Sequence, residues 1–221
     1  MASIRVAEVF SALALTTDLA SGVPLEKGLR TCVVASTFAG CLGLSEAERT
    51  DVFLAALLRA VGCTANATLL ARHFGDDTAF QAAFKRLDPG DPHVFGKQLA
   101  DFSSWAGPRG PVLARHFLEI AATEGPRATT ASCEVSRALG VRLGLPPGAI
   151  AALDDVYERW DGLGLPHGRR GDELSPVGRI VHVAEQAVLA HTESGTAAAV
   201  AEVRRRAGGH LDPDLAAAFV S

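Results

Sequence analysis

Residues 157–175 read Tyr-Glu-Arg-Trp-Asp-Gly-Leu-Gly-Leu-Pro-His-Gly-Arg-Arg-Gly-Asp-Glu-Leu-Ser. The stretch joins two helical patterns through a loop that is too rich in glycine to be either. Upstream, Ile150, Leu153, Tyr157 and Trp160 share one face at helical spacing, so a helix is expected over 147–160. The loop 161–174 then carries four glycines, Gly162, Gly164, Gly168 and Gly171, with Pro166 between them. Asp161 before Gly162 reads as an Asx-type turn residue. Ser175 followed by Pro176 is a cap and a first-position proline, the start of the next helix. Its core stripe is Val177, Ile180, Val181, Ala184 and Val188.

The same period runs through the rest of the chain. Val6, Val9, Phe10 and Leu13 predict an amphipathic helix over 3–20, punctuated by Gly22 and Pro24. A second helix is expected over 25–42, stopping at Gly43. Ser45 with Glu48 forms a capping box for a third over 46–61, with Val52, Phe53, Leu57 and Ala60 on its apolar side. Residues 64–125 are less regular, with short helices near 64–73, 76–87, 93–105 and 111–122. Turn clusters at 88–92 and 107–111 separate them. Further helices are expected over 127–143 and 195–207, the latter stopping at Gly208-Gly209. The last starts at Asp212-Pro213. A faint repeat appears at an offset of 101 residues: Thr31-Cys32 with Ser132-Cys133, Val34 with Val135, Leu42-Gly43-Leu44 with Leu143-Gly144-Leu145. A true repeat implies two helical hairpins facing each other across a shared core, with a site between them.

Composition agrees with an all-α chain. Hydrophobic residues make up 48% of the 221, with Ala prominent and β-branched runs sparse. One helical domain spanning 1–221 is expected, with 1–24 as an N-terminal helix and 25–221 as the core unit. The net charge of −4 comes without acidic or basic blocks, which argues against direct nucleic-acid binding. Arg204-Arg205-Arg206 close a helix, where cations offset its dipole. Cys32, Cys41, Cys63 and Cys133 form no C-x-x-C pair and read as reduced core thiols. No signal peptide is indicated, and no apolar stretch of about 18 residues reads as a membrane span, so a cytoplasmic protein is expected.

Several segments together resemble the HD-GYP family of metal-dependent phosphohydrolases. Members show two histidines, then Glu-Arg-Trp-Asp-Gly, then Gly-Tyr-Pro; here Glu158-Arg159-Trp160-Asp161-Gly162 and Gly164-Leu165-Pro166 stand in that frame. Val156 and Tyr157 occupy the histidine positions, and Leu165 the tyrosine position. Residues 55–63, Ala-Ala-Leu-Leu-Arg-Ala-Val-Gly-Cys, are similar to the family segment Ala-Ala-Leu-Leu-His-Asp-Ile-Gly-Lys, placing Arg59 and Ala60 at the His-Asp pair. Lys27, ahead of Leu29-Arg30, and Ser132 fall near two further histidine positions. Arg179–Glu185 resembles the family's Arg-Ile-x-x-Val-Ala-Asp, so Glu185 keeps a carboxylate there. The ending Gly209–Leu215 also fits. The resemblance implies an HD-GYP-like helical bundle whose expected metal ligands are replaced.

A two-metal phosphodiesterase needs several imidazole and carboxylate ligands to converge on its ions. Lysine and arginine at ligand positions repel a metal, and Glu185 alone cannot hold one. The seven histidines are scattered; His182 and Glu185, three apart, are a weak metal signal. No metal or other cofactor and no catalytic residue are therefore assigned. Lys27, Arg30, Arg59, Tyr157, Glu158, Asp161 and Glu185 are candidate ligand-binding residues, because fixed cations can hold phosphate or carboxylate without a metal. The competing reading pairs Arg59 with Glu158, Asp155 or Glu185, and makes Glu158, Arg159 and Asp161 a salt-bridge set holding the glycine loop.

The expected function is a catalytically inactive regulatory or sensor domain in bacterial signalling or transcription regulation. The resemblance includes actinobacterial regulators that join such a domain to a LuxR-type helix-turn-helix. Its partners would be an anionic small molecule or a protein, with a homodimer possible. The alternatives are a phosphohydrolase or phosphodiesterase with an altered metal set, a metal-free enzyme reusing the old pocket, and a scaffold whose pocket is packed shut.

Overall fold

A computed structural model describes residues 5–221. Ten α-helices follow in order: α1 Val6–Ala20, α2 Lys27–Cys41, α3 Glu46–Leu58, α4 Ala67–Phe74, α5 Asp77–Phe84, α6 Pro92–Ser103, α7 Gly110–Arg142, α8 Pro147–Asp154, α9 Pro176–Arg206 and α10 Pro213–Phe219. Among the described residues there is no β-strand, so the fold is all-α as expected. Residues 3 and 4 of the expected first helix lie outside the described residues.

Local chemistry sets most helix starts. Ser45 Oγ accepts from the Glu48 N–H while the Glu48 carboxylate accepts from the Ser45 N–H at 2.8 Å, the reciprocal box expected for α3. Ser175 Oγ accepts from the Gly178 N–H at 3.0 Å, with Pro176 in the first turn of α9. Asp212 accepts from the N–H groups of Asp214 and Leu215 to start α10.

Three boundaries differ from the sequence reading. The expected break near 123–126 is absent, and α7 runs for 33 residues with Pro126 inside it. Its first half packs in an aromatic cluster through Leu113, Phe117 and Ile120, its second half runs against α8 with Gly140 beside Ile150 and Leu153, and Thr129 Oγ1 donates to the Gly125 and Pro126 carbonyls beside the proline. The helix expected over 147–160 stops at Asp154. Beyond it, the Trp160 and Asp161 N–H groups bond to the His210 and Gly209 carbonyls, a tertiary pairing that replaces the helical one. The helices around 176–188 and 195–207 are joined in α9, with Gly195 at φ 80° marking the junction.

The main core gathers α1, α2, α3, α8, α9 and α10 around Leu58, Leu153, Val183, Val203 and Leu211. A second cluster, built from Phe74, Phe80, Phe102 and Phe117, lies among α4 to α7. Residues Glu46–Phe74 include an 18-residue window with mean hydropathy 1.6, contrary to the expectation of no such stretch; half of that window is buried inside the protein. The stretch is α3, a 3₁₀ turn and α4, and α3 is part of the main core. Cys32, Cys63 and Cys133 are buried free thiols, whereas Cys41 is exposed.

The repeat is geometric as well as textual. Cys32 Sγ donates to the Phe53 carbonyl at 3.6 Å, and Cys133 Sγ donates to the Asp154 carbonyl at 3.6 Å, each 21 residues further on. Gly43 and Gly144 end their helices at φ 75° and 68°, and the Leu44 and Leu145 N–H groups close equivalent bonds to Ala39 and Gly140. Thus α2–α3 and the second half of α7 with α8 are two similar hairpins, and α3 packs on α8 between them.

Leu153 of α8 is fully buried in this core. Leu153→Ala is expected to lower the unfolding free energy by about 2–5 kcal/mol in urea titrations, the range for a leucine deletion in a packed interior.

Candidate active site

The glycine loop is organised by two buried carboxylates. Glu158 has no solvent exposure and accepts from the His167 N–H at 2.8 Å and the Arg169 N–H at 2.9 Å. Asp155 accepts from Ser175 N at 2.7 Å and from Arg169 Nη1 at 2.6 Å, tying the loop to the start of α9. The loop folds back so tightly that a Cβ on Gly164 would lie 2.5 Å from Glu158 Cα and from Arg159 N. Asp161 accepts from the Leu163 N–H at 2.9 Å, the expected Asx geometry, and also pairs with Arg159.

Arg159 extends that pairing into a charged latch. Its Nη1 lies 2.5 Å from the buried Asp88, which also meets Arg205 at 3.2 Å and Arg206 at 3.5 Å. Arg205 further binds Asp91 and Glu202, and Arg206 binds Glu202. The arginines at the end of α9 are thus held by specific carboxylates on other segments as well as by proximity to the helix terminus.

The candidate site is a charged cluster buried where α2, α3 and α9 meet. Lys27 Nζ and Arg59 Nη1 both bond Glu185 Oε1. All three side chains are buried. Arg59 also donates to the Val156 carbonyl at 3.3 Å, while its Nε has no partner. Tyr157 Oη lies 3.3 Å from Cys63 Sγ. Burial, then the neighbouring Arg59 charge, push the Lys27 ammonium down to about 7, against the pull of Asp18 and Cys63. Burial likewise pushes Arg59 down to about 10, with Cys63 and Tyr157 opposing. Burial raises the Tyr157 phenol well above its usual range, with Cys63 adding to the effect.

Of the seven candidate residues, Lys27, Arg59 and Glu185 converge, and Tyr157 follows the Val156 carbonyl that Arg59 holds. Glu158 and Asp161 serve the loop. Arg30 is exposed and pairs with Glu26 at 3.3 Å, one turn earlier on the surface, so it does not join the pocket. Arg59 pairs with Glu185; Asp155 and Glu158 are taken by the loop.

Sequence reasoning passed over His182 as a site residue. It is buried one turn before Glu185 on α9, and its Nε2 has no partner. Its ring is 5.8 Å from that of His210, a residue 28 positions away that only the fold brings near. Burial, then Arg59, push His182 down to about 4, so it is neutral at pH 7. The signal available beforehand was its i, i+3 spacing to Glu185.

The residues do not fit the two-metal set of an HD phosphohydrolase. Among the described residues, no three His, Cys, Asp or Glu side chains converge as a metal site. The one carboxylate at the expected centre is neutralised by two cations.

The arrangement defines a class first: an all-α, HD-GYP-like fold with a buried Lys27–Glu185–Arg59 cluster at positions where the resemblance expects metal ligands. Comparison then identifies its relatives. The chain is 26% identical over 221 residues to "3'3'-cGAMP-specific phosphodiesterase 3" of Vibrio cholerae, across 94% of this chain and 46% of that protein. Its fold matches the crystal structure of a V. cholerae cyclic GMP-AMP specific phosphodiesterase with TM-score 0.70 and 19% identity, over 96% of this chain and 47% of that one. The chain spans about half the length of these relatives. No family profile matches it.

The expectation of an inactive, non-enzymatic sensor domain is overturned by this likeness. The relatives are named as phosphodiesterases, so the hydrolase reading held second moves to first place. The step that misled was to take the replaced metal ligands as excluding hydrolysis.

Two outcomes follow. Glu158→Ala leaves two loop N–H groups without an acceptor, at about 1–3 kcal/mol each, and is expected to lower stability by about 2–6 kcal/mol in chemical denaturation. Glu202 is held at about 2 because hydrogen bonds and charge from Arg205 and Arg206 outweigh burial, which would raise it. The depressed acid contributes stability above its ordinary value of 4.5, lost as pH falls toward 2. Glu202→Gln is therefore expected to lower the melting temperature at pH 7 and to narrow the gap to the unmodified protein between pH 4.5 and 2, read by calorimetric scans.

Proposed function

We propose that this chain is a phosphodiester hydrolase unit acting on a cyclic dinucleotide, with a buried cationic cluster at positions where the HD-GYP resemblance expects metal ligands. The observation that carries this reading is the 26% identity along 94% of the chain to a 3'3'-cGAMP-specific phosphodiesterase. The chemistry of the pocket supports it.

A phosphodiester is an anion that gains charge on its non-bridging oxygens as it is attacked. Arg59 can take two of those oxygens in a planar fork, and Lys27 supplies a second, compact charge. Both now hold Glu185. A phosphate entering between them would take over their hydrogen bonds and release that carboxylate. Glu185 would then accept the proton of a water whose oxygen attacks phosphorus. The P–O bond to one ribose breaks, and Lys27 donates a proton to the departing oxygen. An ammonium held near 7 suits that donation at neutral pH. His182, neutral beside Arg59, adds an imidazole nitrogen without repelling the guanidinium.

The test is incubation of purified chain with 3'3'-cGAMP at pH 6–9, with and without divalent cation, with linear product resolved by chromatography. Linear dinucleotide is expected, Arg59→Ala is expected to lose at least 100-fold in kcat/KM, and the rate is expected to fall as pH rises through about 7, where Lys27 loses its proton. No product under any of these conditions, or full activity in Arg59→Ala, would overturn the reading.

A further inference from the structure

A second polar cavity, of about 330 Å³, opens between the C-terminal end of α5, α6 and α9. Its lining does not include Lys27, Arg59 or Glu185, although the charge of Lys85 lies close enough to feel those of Lys27 and Arg59. Its walls combine Lys85, Gln98 and Gln186 with apolar surface from Phe102, Leu189 and Ala190.

The charges around it are unevenly satisfied. Arg86 pairs with Glu193, and Arg206 pairs with Glu202, so those four lining groups are mutually committed. Asp101 lies exposed at the rim. Lys85 differs: among the described residues, no carboxylate lies within 4.0 Å of its ammonium. Burial, with Lys27 and Arg59 adding to it, pushes that ammonium down to about 8, while Cys63 and Asp18 oppose, so it still carries its proton at pH 7. A screened, unpartnered cation facing a cavity favours an anion there.

The two glutamines supply direction. Gln98 Oε1 accepts from the Asp88 N–H at 2.8 Å, which leaves its amide N–H₂ without a partner among the described residues. Gln186 is buried on α9 and makes no side-chain hydrogen bond among them. Amide groups of this kind read the polar edge of a ring, and Phe102 with Leu189 offers the apolar surface for its face. The volume lies at the lower end of the range for small-ligand sites, suited to one nucleotide and too small for two.

We propose that this cavity binds a phosphorylated ligand of mononucleotide size, with Lys85 Nζ on the phosphate and the Gln98 and Gln186 amides on the base or sugar. Its lining residues differ from those proposed for hydrolysis, and the proposal does not rest on that activity.

Titration calorimetry of the full chain with 5'-AMP at pH 7 tests it. One saturable site is expected. Lys85→Met is expected to weaken binding at least tenfold, and Lys85→Arg less than threefold. Adenosine, without phosphate, is expected to bind at least tenfold more weakly than 5'-AMP. Gln186→Leu keeps the cation and is expected to cost at least fivefold, a second reading should Lys85→Met fail to fold by circular dichroism. Arg59→Ala removes a charge that Lys85 feels and is expected to keep one saturable site, with 5'-AMP affinity changed less than threefold. Absence of saturable binding, or unchanged affinity in Lys85→Met or Gln186→Leu, would overturn the proposal. So would loss of binding in Arg59→Ala, which would move the ligand into the other pocket.

Discussion

Glu185 faces two buried cations, and the meeting of α2, α3 and α9 depends on that arrangement. A lysine or an arginine removed from water carries a desolvation cost of several kcal/mol unless it is paired. Lys27 comes from the first residue of α2 and Arg59 from the end of α3, and Glu185 sits one third of the way along α9. Removing the carboxylate would leave two uncompensated charges in the core, so the three helices are held to one geometry. On the proposed reading, a phosphate would satisfy both cations in place of the carboxylate.

Around this centre the polar interactions divide the labour. Asp155 and Glu158 shape the glycine loop through its backbone N–H groups, a role that needs acceptors and no mobility. Asp88 collects three arginines from the loop and the end of α9, so it joins the segment between α5 and α6 to the rest of the fold. The aromatic cluster lies on that same side, among α4 to α7. The 33-residue α7 runs from this cluster to α8, and its second half forms one of the two repeated hairpins with that helix.

The relatives change how the substituted positions are understood. Metal ligands and fixed cations are two solutions to the same electrostatic problem, the charge of a phosphodiester. Arg59 and Lys27 stand where the HD-GYP frame places ligands, and the sole retained carboxylate lies between them. The likeness to V. cholerae phosphodiesterases spans nearly all of this chain and about half of theirs, so it concerns this unit of those proteins.

Much of the architecture was legible in the sequence because it is set locally. The period of apolar residues, the Ser45–Glu48 box, Ser175-Pro176 and Asp212-Pro213 placed α3, α9 and α10, since caps satisfy their own backbone within a few residues. Asp161 and its turn were legible for the same reason, and the resemblance placed Arg59 and Glu185 in one site. Other features were decided only by contacts distant in the chain. Residues 155–160 left the helix because Trp160 and Asp161 found backbone partners at 209–210. Arg30, near Lys27 in sequence, turned out to the surface, because neighbours on a helix point to different faces. His210 came beside His182, and Lys85 came to line a cavity with Gln98 and Gln186. A sequence determines which groups can satisfy one another within a turn or two; which buried charges meet, and which remain without a partner, is decided by packing.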